Sequence, residues 1–127
     1  MKKLEAKHTP AIYKWLLQKI NKSVPLEVKH TRGGNTFNFK ELAEHQLLYL
    51  QAATTERGFA YKLPDDGEWK PFDVIIFKNT DAYVAIIYPG DIVHILKIQT
   101  IYKLKEKKIV SLHKDEARRL AFFTMQL

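Results

Sequence analysis

The sequence predicts a single α/β domain in which a mixed β-sheet is flanked by helices. Two long segments, 4–20 and 39–54, carry apolar residues at helical spacing. Shorter runs between and after them are apolar or alternating, as strands are. Residues 83–88 are almost entirely apolar, which indicates a strand covered on both faces. The length of 127 residues fits one domain spanning 1–127.

Composition and charge narrow the class of protein. A hydrophobic content of 46% excludes general disorder, and the lack of cysteine excludes disulfides and thiolate metal sites, as expected for a cytoplasmic protein. The charged start has no apolar signal core, and no apolar run approaches the roughly 20 residues that span a bilayer, so we expect no membrane association. The net charge of +7 favours a polyanionic partner.

The first half of the chain contains two predicted helices around a short strand. The first helix covers 4–20, although Pro10 could instead mark its start, and a strand covers 24–29. The second helix covers 39–54, with Asn38 as its N-cap and Glu41 in capping-box position. One face of this helix is apolar except for a glutamine, and it consists of Phe39, Leu42, Ala43, Gln46, Leu47 and Leu50.

The second half reads mainly as strands. Strands are predicted at 58–63, 71–77, 82–88 and 92–98, with the second and third joined as a hairpin through 78–81. The charge run 103–108 is expected to be an exposed loop, and 115–125 a closing helix.

The pair Glu27 and Lys29 is the best indication of function. Side chains alternate along a strand, so these two share one face and lie about 6–7 Å apart. The acid can hold a divalent metal, while the lysine can stabilise charge or orient a water. The alternative is an ordinary charge pair on a solvated sheet face.

A basic, glycine-containing segment follows this strand. His30, Thr31 and Arg32, with Gly33 and Gly34, are predicted to contact phosphate, because glycines allow close approach and arginine can grip a phosphate bidentately. The alternative is a plain basic turn.

Three further polar residues are candidates for the same site. Gln46 interrupts an apolar helix face, so it either caps a strand end or orients a phosphate or water near Glu27. Lys62 could point into the same pocket or into water. Asp73 lies in an otherwise apolar strand, where a buried carboxylate is unfavourable unless it is paired or bound to metal. If that strand is internal to the sheet, a functional role of Asp73 is favoured. If it lies at a sheet edge, Asp73 is an ordinary surface residue.

The chain resembles the PD-(D/E)XK nuclease superfamily, and within it small phage-type relatives of the RecU Holliday-junction resolvases. The matching segments are Leu26-Glu27-Val28-Lys29-His30-Thr31-Arg32, Phe37-Asn38-Phe39, Glu44-His45-Gln46-Leu47, Tyr61-Lys62-Leu63-Pro64-Asp65 and Pro71-Phe72-Asp73. The resemblance implies a restriction-endonuclease-like core and a Mg²⁺- or Mn²⁺-dependent endonuclease of DNA recombination. It also implies DNA as partner, with branched DNA as a candidate substrate, and a homodimer.

The resemblance also implies roles for particular residues. Glu27, Lys29 and Gln46 would be catalytic, with Glu27 also a metal ligand. These nucleases normally carry a metal-binding aspartate before the Glu-x-Lys motif, but the first aspartate here is Asp65. Asp73 is the candidate for a relocated ligand, and Asp65 is the second. Glu5 matches a helical glutamate that many of these enzymes place beside the metal; otherwise it is an ordinary first-turn acid.

Three functions remain open from the sequence. The first is a metal-dependent DNA endonuclease that binds Mg²⁺ through Glu27, Asp73 and Glu5. The second is a non-catalytic nucleic-acid-binding module on the same fold. The third is a structural or protein-interaction domain, which evenly scattered lysines would favour.

Overall fold

The computed structural model describes residues 2–65 and 69–127 and confirms an α/β domain with a mixed sheet. The described residues form four α-helices, one more than predicted. Within these two ranges, no helix has the length and apolar character needed to cross a membrane. The helices are α1 (Lys2–Leu17), α2 (Glu44–Ala53), α3 (Ile98–Glu106) and α4 (Lys114–Leu120). The strands are β1 (Leu26–His30), β2 (Thr36–Asn38), β3 (Phe59–Lys62), β4 (Val74–Phe77), β5 (Tyr83–Tyr88), β6 (Ile92–Lys97), β7 (Ser111–His113) and β8 (Phe123–Gln126).

The main sheet has four strands in the order β1-β5-β6-β8. β1 runs parallel to β5, and the other two pairings are antiparallel. All residues of β5 are buried, as the apolar run predicts, because β5 is an inner strand with packed layers on both faces. Two further pairs, β2 with β7 and β3 with β4, form separate two-stranded sheets.

The two faces of the main sheet are covered by different helices. Ile12 and Leu16 of α1 pack on one face in a cluster that contains Val28 of β1. Leu47 and Leu50 of α2 lie in the cluster on the other face, together with residues of α3 and α4. Alternation along β1 therefore turns Glu27 and Lys29 away from α1 and towards α2.

The predicted second helix is divided in two, and α1 runs through Pro10 rather than starting there. The side chain of Asn38 accepts a hydrogen bond from the Lys40 amide, but it caps only a 3-10 helix over Phe39–Glu41. Leu42 and Ala43 are extended, and α2 begins at Glu44. The predicted N-cap is therefore real, but it belongs to the short helix.

The predicted hairpin between 71–77 and 82–88 is wrong. β4 pairs with β3 instead, while β5 pairs with β1 and β6. Both segments are apolar, but β5 is buried on both faces within the main sheet, whereas β4 lies outside that sheet and leaves Ile76 exposed. Gly58 permits the close start of this hairpin, since it has a φ of +65° and an added Cβ would lie 2.2 Å from the Phe77 carbonyl oxygen.

The C-terminal predictions also need correction. The charge run lies largely in α3, because Ile98 and Ile101 are buried and the lysines face outward. The closing helix ends at Leu120, and residues Phe123–Gln126 add strand β8 to β6, with Met125 buried. The short strands β2 and β7 were not predicted at all.

Candidate functional site

A hydrogen bond joins Gln46 to Glu27, two of the candidate residues from the sequence. Nε2 of Gln46 on α2 donates to Oε2 of Glu27 on β1 at 2.8 Å. Oε1 of the same amide accepts from the Ala43 backbone N–H at 3.0 Å. Because a backbone N–H only donates, the oxygen must face Ala43 and the nitrogen must face Glu27. The start of α2 thus fixes the orientation of this amide against the carboxylate.

The electrostatic surroundings of Glu27 combine opposing effects. Burial raises the pKa of the Glu27 carboxyl above its ordinary 4.5, and the negative charge of Glu5 raises it further. The pKa of Glu27 is lowered by Lys29, by the Val28 backbone N–H and by His45. The Glu27 carboxylate is therefore partly desolvated, and the net effect of its surroundings favours its protonated form.

His30 is buried, which corrects its predicted role as a phosphate contact. It is 4% exposed and lies on the same face of β1 as Val28. Its Nδ1 accepts from the Arg32 backbone N–H at 3.0 Å, so the neutral ring carries its hydrogen on Nε2. Nε2 lies 3.8 Å from Oε2 of Glu5, too long for a hydrogen bond. The alternation from Leu26 to His30 could have predicted this burial.

The segment after β1 is held in place at two points. The Thr31 N–H donates to the Ile87 carbonyl at 3.1 Å, which continues the β1–β5 pairing. Arg32 adopts a positive φ of 61°, and its exposed guanidinium lies 3.2 Å from Oε2 of Glu41. An exposed ion pair of this kind contributes roughly 0–1 kcal/mol, so it leaves Arg32 accessible to another anion. Phosphate binding by Thr31 and Arg32 stays a prediction.

The two candidates from the hairpin region lie away from Glu27 or in solvent. Lys62 is exposed and opposes Val74, whereas its neighbour Tyr61 lines the cleft that contains Glu27. Lys62 therefore points to the outer face of the hairpin. Asp73 precedes β4, and its side chain is 83% exposed with Lys70 at 3.4 Å. The expectation that Asp73 is buried is wrong, because it lies at the end of a two-stranded hairpin rather than inside the sheet.

The sequence-predicted metal ligands are not assembled as a set of three. Within residues 2–65 and 69–127, no three histidine, aspartate or glutamate side chains are placed to hold one metal ion. Glu27 and Glu5 interact electrostatically, while Asp73 is paired with Lys70. The assignment of Asp73 as a ligand stays a prediction.

A cleft of about 430 Å³ opens beside Glu27. It lies between the start of β1, the helix α2 and the β3–β4 hairpin, a feature that the sequence did not predict. Its lining residues are Pro25, Leu26, Glu27, Gln46, Tyr49, Leu50, Phe59, Tyr61, Ile75 and Phe77.

No family model, no curated protein and no solved structure matches this chain. The chemistry of the donor set is nevertheless compatible with Mg²⁺. This ion is commonly held by one or two carboxylates and several waters, with substrate phosphates completing its shell. Glu27 offers one such carboxylate, and Glu5, whose negative charge acts on Glu27, is the candidate for a second.

Proposed function

We propose that this chain is a Mg²⁺- or Mn²⁺-dependent DNA endonuclease, with branched DNA as a candidate substrate and a restriction-endonuclease-like core. The hydrogen bond from Gln46 to Glu27 carries the proposal, because it joins the Glu-x-Lys strand to the next helix through one oriented carboxylate. The resemblance to PD-(D/E)XK nucleases supplies the substrate class. The net charge of +7 is compatible with a DNA partner.

Each polar residue has a separate task in this proposal. Glu27 and Glu5 would hold the metal, which when bound polarises the scissile phosphate and acidifies a bound water. Gln46 keeps the Glu27 carboxylate in one orientation through its anchor on Ala43. Lys29, on the same face of β1 as Glu27, orients the attacking water or offsets negative charge that develops on the phosphate.

The number of carboxylate ligands can be determined with Asp73. If two carboxylates suffice, the Asp73→Asn variant binds Mg²⁺ as the wild type does. If Asp73 is a third ligand, the variant binds Mg²⁺ more weakly. The exposure of Asp73 and its pairing with Lys70 favour the two-carboxylate site.

A cleavage assay tests the proposal. Purified protein is incubated with duplex, single-stranded and four-way-junction DNA, in the presence of Mg²⁺, Mn²⁺ or EDTA. We expect metal-dependent cleavage that the Glu27→Gln variant loses. Equal cleavage by both proteins would trace the activity to a contaminant and would contradict the assignment of Glu27.

The second candidate is a non-catalytic nucleic-acid-binding module on the same fold. The exposed position of Asp73 favours it, because within residues 2–65 and 69–127 no three acidic or histidine side chains are placed to hold one metal ion. This function predicts salt-dependent DNA binding without cleavage under any metal condition.

A homodimer is part of the endonuclease proposal. A four-way junction presents two equivalent strands, which a symmetric dimer with two sites can cut. Light scattering of the protein, with and without junction DNA, measures this directly.

A further inference from the structure

The cleft beside Glu27 has partly exposed aromatic residues from two different elements. Tyr49 of α2 is 52% exposed and Tyr61 of β3 is 50% exposed, and both line the cleft. Phe59 lies behind them, with ring centroids 5.2 Å from Tyr49 and 5.4 Å from Phe77. The inner rings pack against each other and hold one wall, while the two tyrosines keep a large part of their surface accessible.

These aromatic rings adjoin the polar groups of the candidate site. Glu27 and Gln46 line the same cleft as Tyr49 and Tyr61. The Gln46 amide uses its oxygen on Ala43 and one hydrogen on Glu27, so its Nε2 retains a second hydrogen. The cleft thus combines a stacking surface with a hydrogen-bond donor, and Lys29 supplies a positive charge next to Glu27.

We propose that this cleft, the aromatic cleft, takes an unpaired nucleobase of a DNA strand whose neighbouring phosphate lies at Lys29. The inference rests on the proposed nucleic-acid function and specifies its substrate as DNA with at least one unstacked base. Base stacking on aromatic side chains is sequence-tolerant, because every base has a π face. A volume of about 430 Å³ falls within the roughly 300–1,000 Å³ of pockets that hold small molecules.

Charge and shape favour a nucleotide over an apolar peptide as the occupant. An apolar side chain would stack on the tyrosines but would leave the spare Gln46 hydrogen unpaired. A nucleotide provides base edges for the Gln46 hydrogen and a phosphate for Lys29. The net charge of +7 attracts the rest of the strand.

The test measures binding without cleavage. Single-stranded oligonucleotides that contain 2-aminopurine are titrated with the full chain in EDTA, and quenching of the base analogue and affinity are recorded. We expect quenching by the wild type. The variants Tyr61→Leu and Tyr49→Leu, which keep apolar bulk but lose the ring, should each lose about tenfold in affinity. Tyr61→Phe should restore both signals.

A matched control lies elsewhere on the surface. Tyr13 of α1 is 44% exposed and lines a different cavity, so Tyr13→Leu should bind the oligonucleotide as the wild type does. Blunt duplex without unpaired bases should bind wild type and Tyr61→Leu equally. Thermal melts of all variants confirm folding.

Two results would overturn the inference. One is unchanged quenching and affinity in both Tyr61→Leu and Tyr49→Leu. The other is an equal loss in Tyr13→Leu, which would show a general effect of surface tyrosines. If the protein quenches 2-aminopurine but does not cleave DNA, only the endonuclease proposal is contradicted. If it cleaves DNA but does not quench 2-aminopurine, only the proposal for the aromatic cleft is contradicted.

Discussion

Replacement of Gln46 by methionine should destabilise the protein in a pH-dependent manner. Methionine keeps the length and helix propensity of the side chain but removes both of its hydrogen bonds. Loss of the bond to the Ala43 N–H, which helps to cap α2, costs about 1 kcal/mol. Loss of the bond to the Glu27 carboxylate costs about 1–2 kcal/mol, at the low end for a charged acceptor because both side chains are partly exposed.

The two contributions separate with pH. At pH 7 both count, so we expect a total near ~2–3 kcal/mol, or a melting temperature lower by about 8–12 °C for a domain of this size. The Gln46 donor stabilises the charged form of Glu27, whose pKa lies above the ordinary 4.5. As pH falls through the raised pKa the carboxyl protonates and its bond with Gln46 weakens to a neutral one, while the Ala43 contribution of about 1 kcal/mol remains.

Thermal melts of wild type and Gln46→Met, followed by circular dichroism from pH 4 to pH 8, measure this difference. Gln51→Met is the matched control, because Gln51 is an exposed residue of the same helix. We expect the control to melt within about 2 °C of the wild type at every pH. A decrease for Gln46→Met that is the same at pH 4 and pH 8 would refute the contact with a charged Glu27.

Three further variants test the site and the basic loop. The pKa of Glu27 is raised in the folded state, so its contribution to stability is largest below the ordinary 4.5 and is lost as pH rises through the folded pKa. The Glu27→Gln variant should therefore melt at a higher temperature than the wild type at pH 8 and at the same temperature at low pH. A lower melting temperature of the variant at pH 8 would contradict this. Lys29→Ala should abolish cleavage but leave DNA affinity within about threefold, because binding is spread over many basic residues; an unchanged cleavage rate would remove Lys29 from the mechanism. Arg32→Ala should reduce the slope of log affinity against log salt by about one unit and barely change the melting temperature, since its pair with Glu41 is exposed; equal slopes for mutant and wild type would leave the loop a plain turn.

The strand that carries Glu27 could be predicted in detail from local pattern. Alternation of Leu26, Val28 and His30 with Glu27 and Lys29 sets which side chains meet α1 and which meet α2. Gln46 could be singled out as a candidate because it is a polar residue that interrupts an apolar helix face. Its partner could not, since contact with Glu27 depends on how α2 packs across the sheet.

The wrong predictions concern which strands pair across the fold, because the local sequence pattern does not determine long-range pairing. The segments 74–77 and 83–88 both read as apolar strands, and only their burial in the fold separates an outer hairpin from the sheet centre. Asp73 was expected inside because its neighbours are apolar, but the hairpin leaves its end in solvent. Near the C terminus, a strand formed where helix was predicted, because β6 offers a free edge to Phe123–Gln126.

Calorimetric titration of Mn²⁺ tests the metal site most directly. Mn²⁺ is added to the wild type, to Glu27→Gln and to Glu44→Gln, which removes an exposed acid from the first turn of α2. We predict one binding event in the wild type and in Glu44→Gln, and its loss in Glu27→Gln. No binding by the wild type, or equal binding by Glu27→Gln, would contradict a metal site at Glu27.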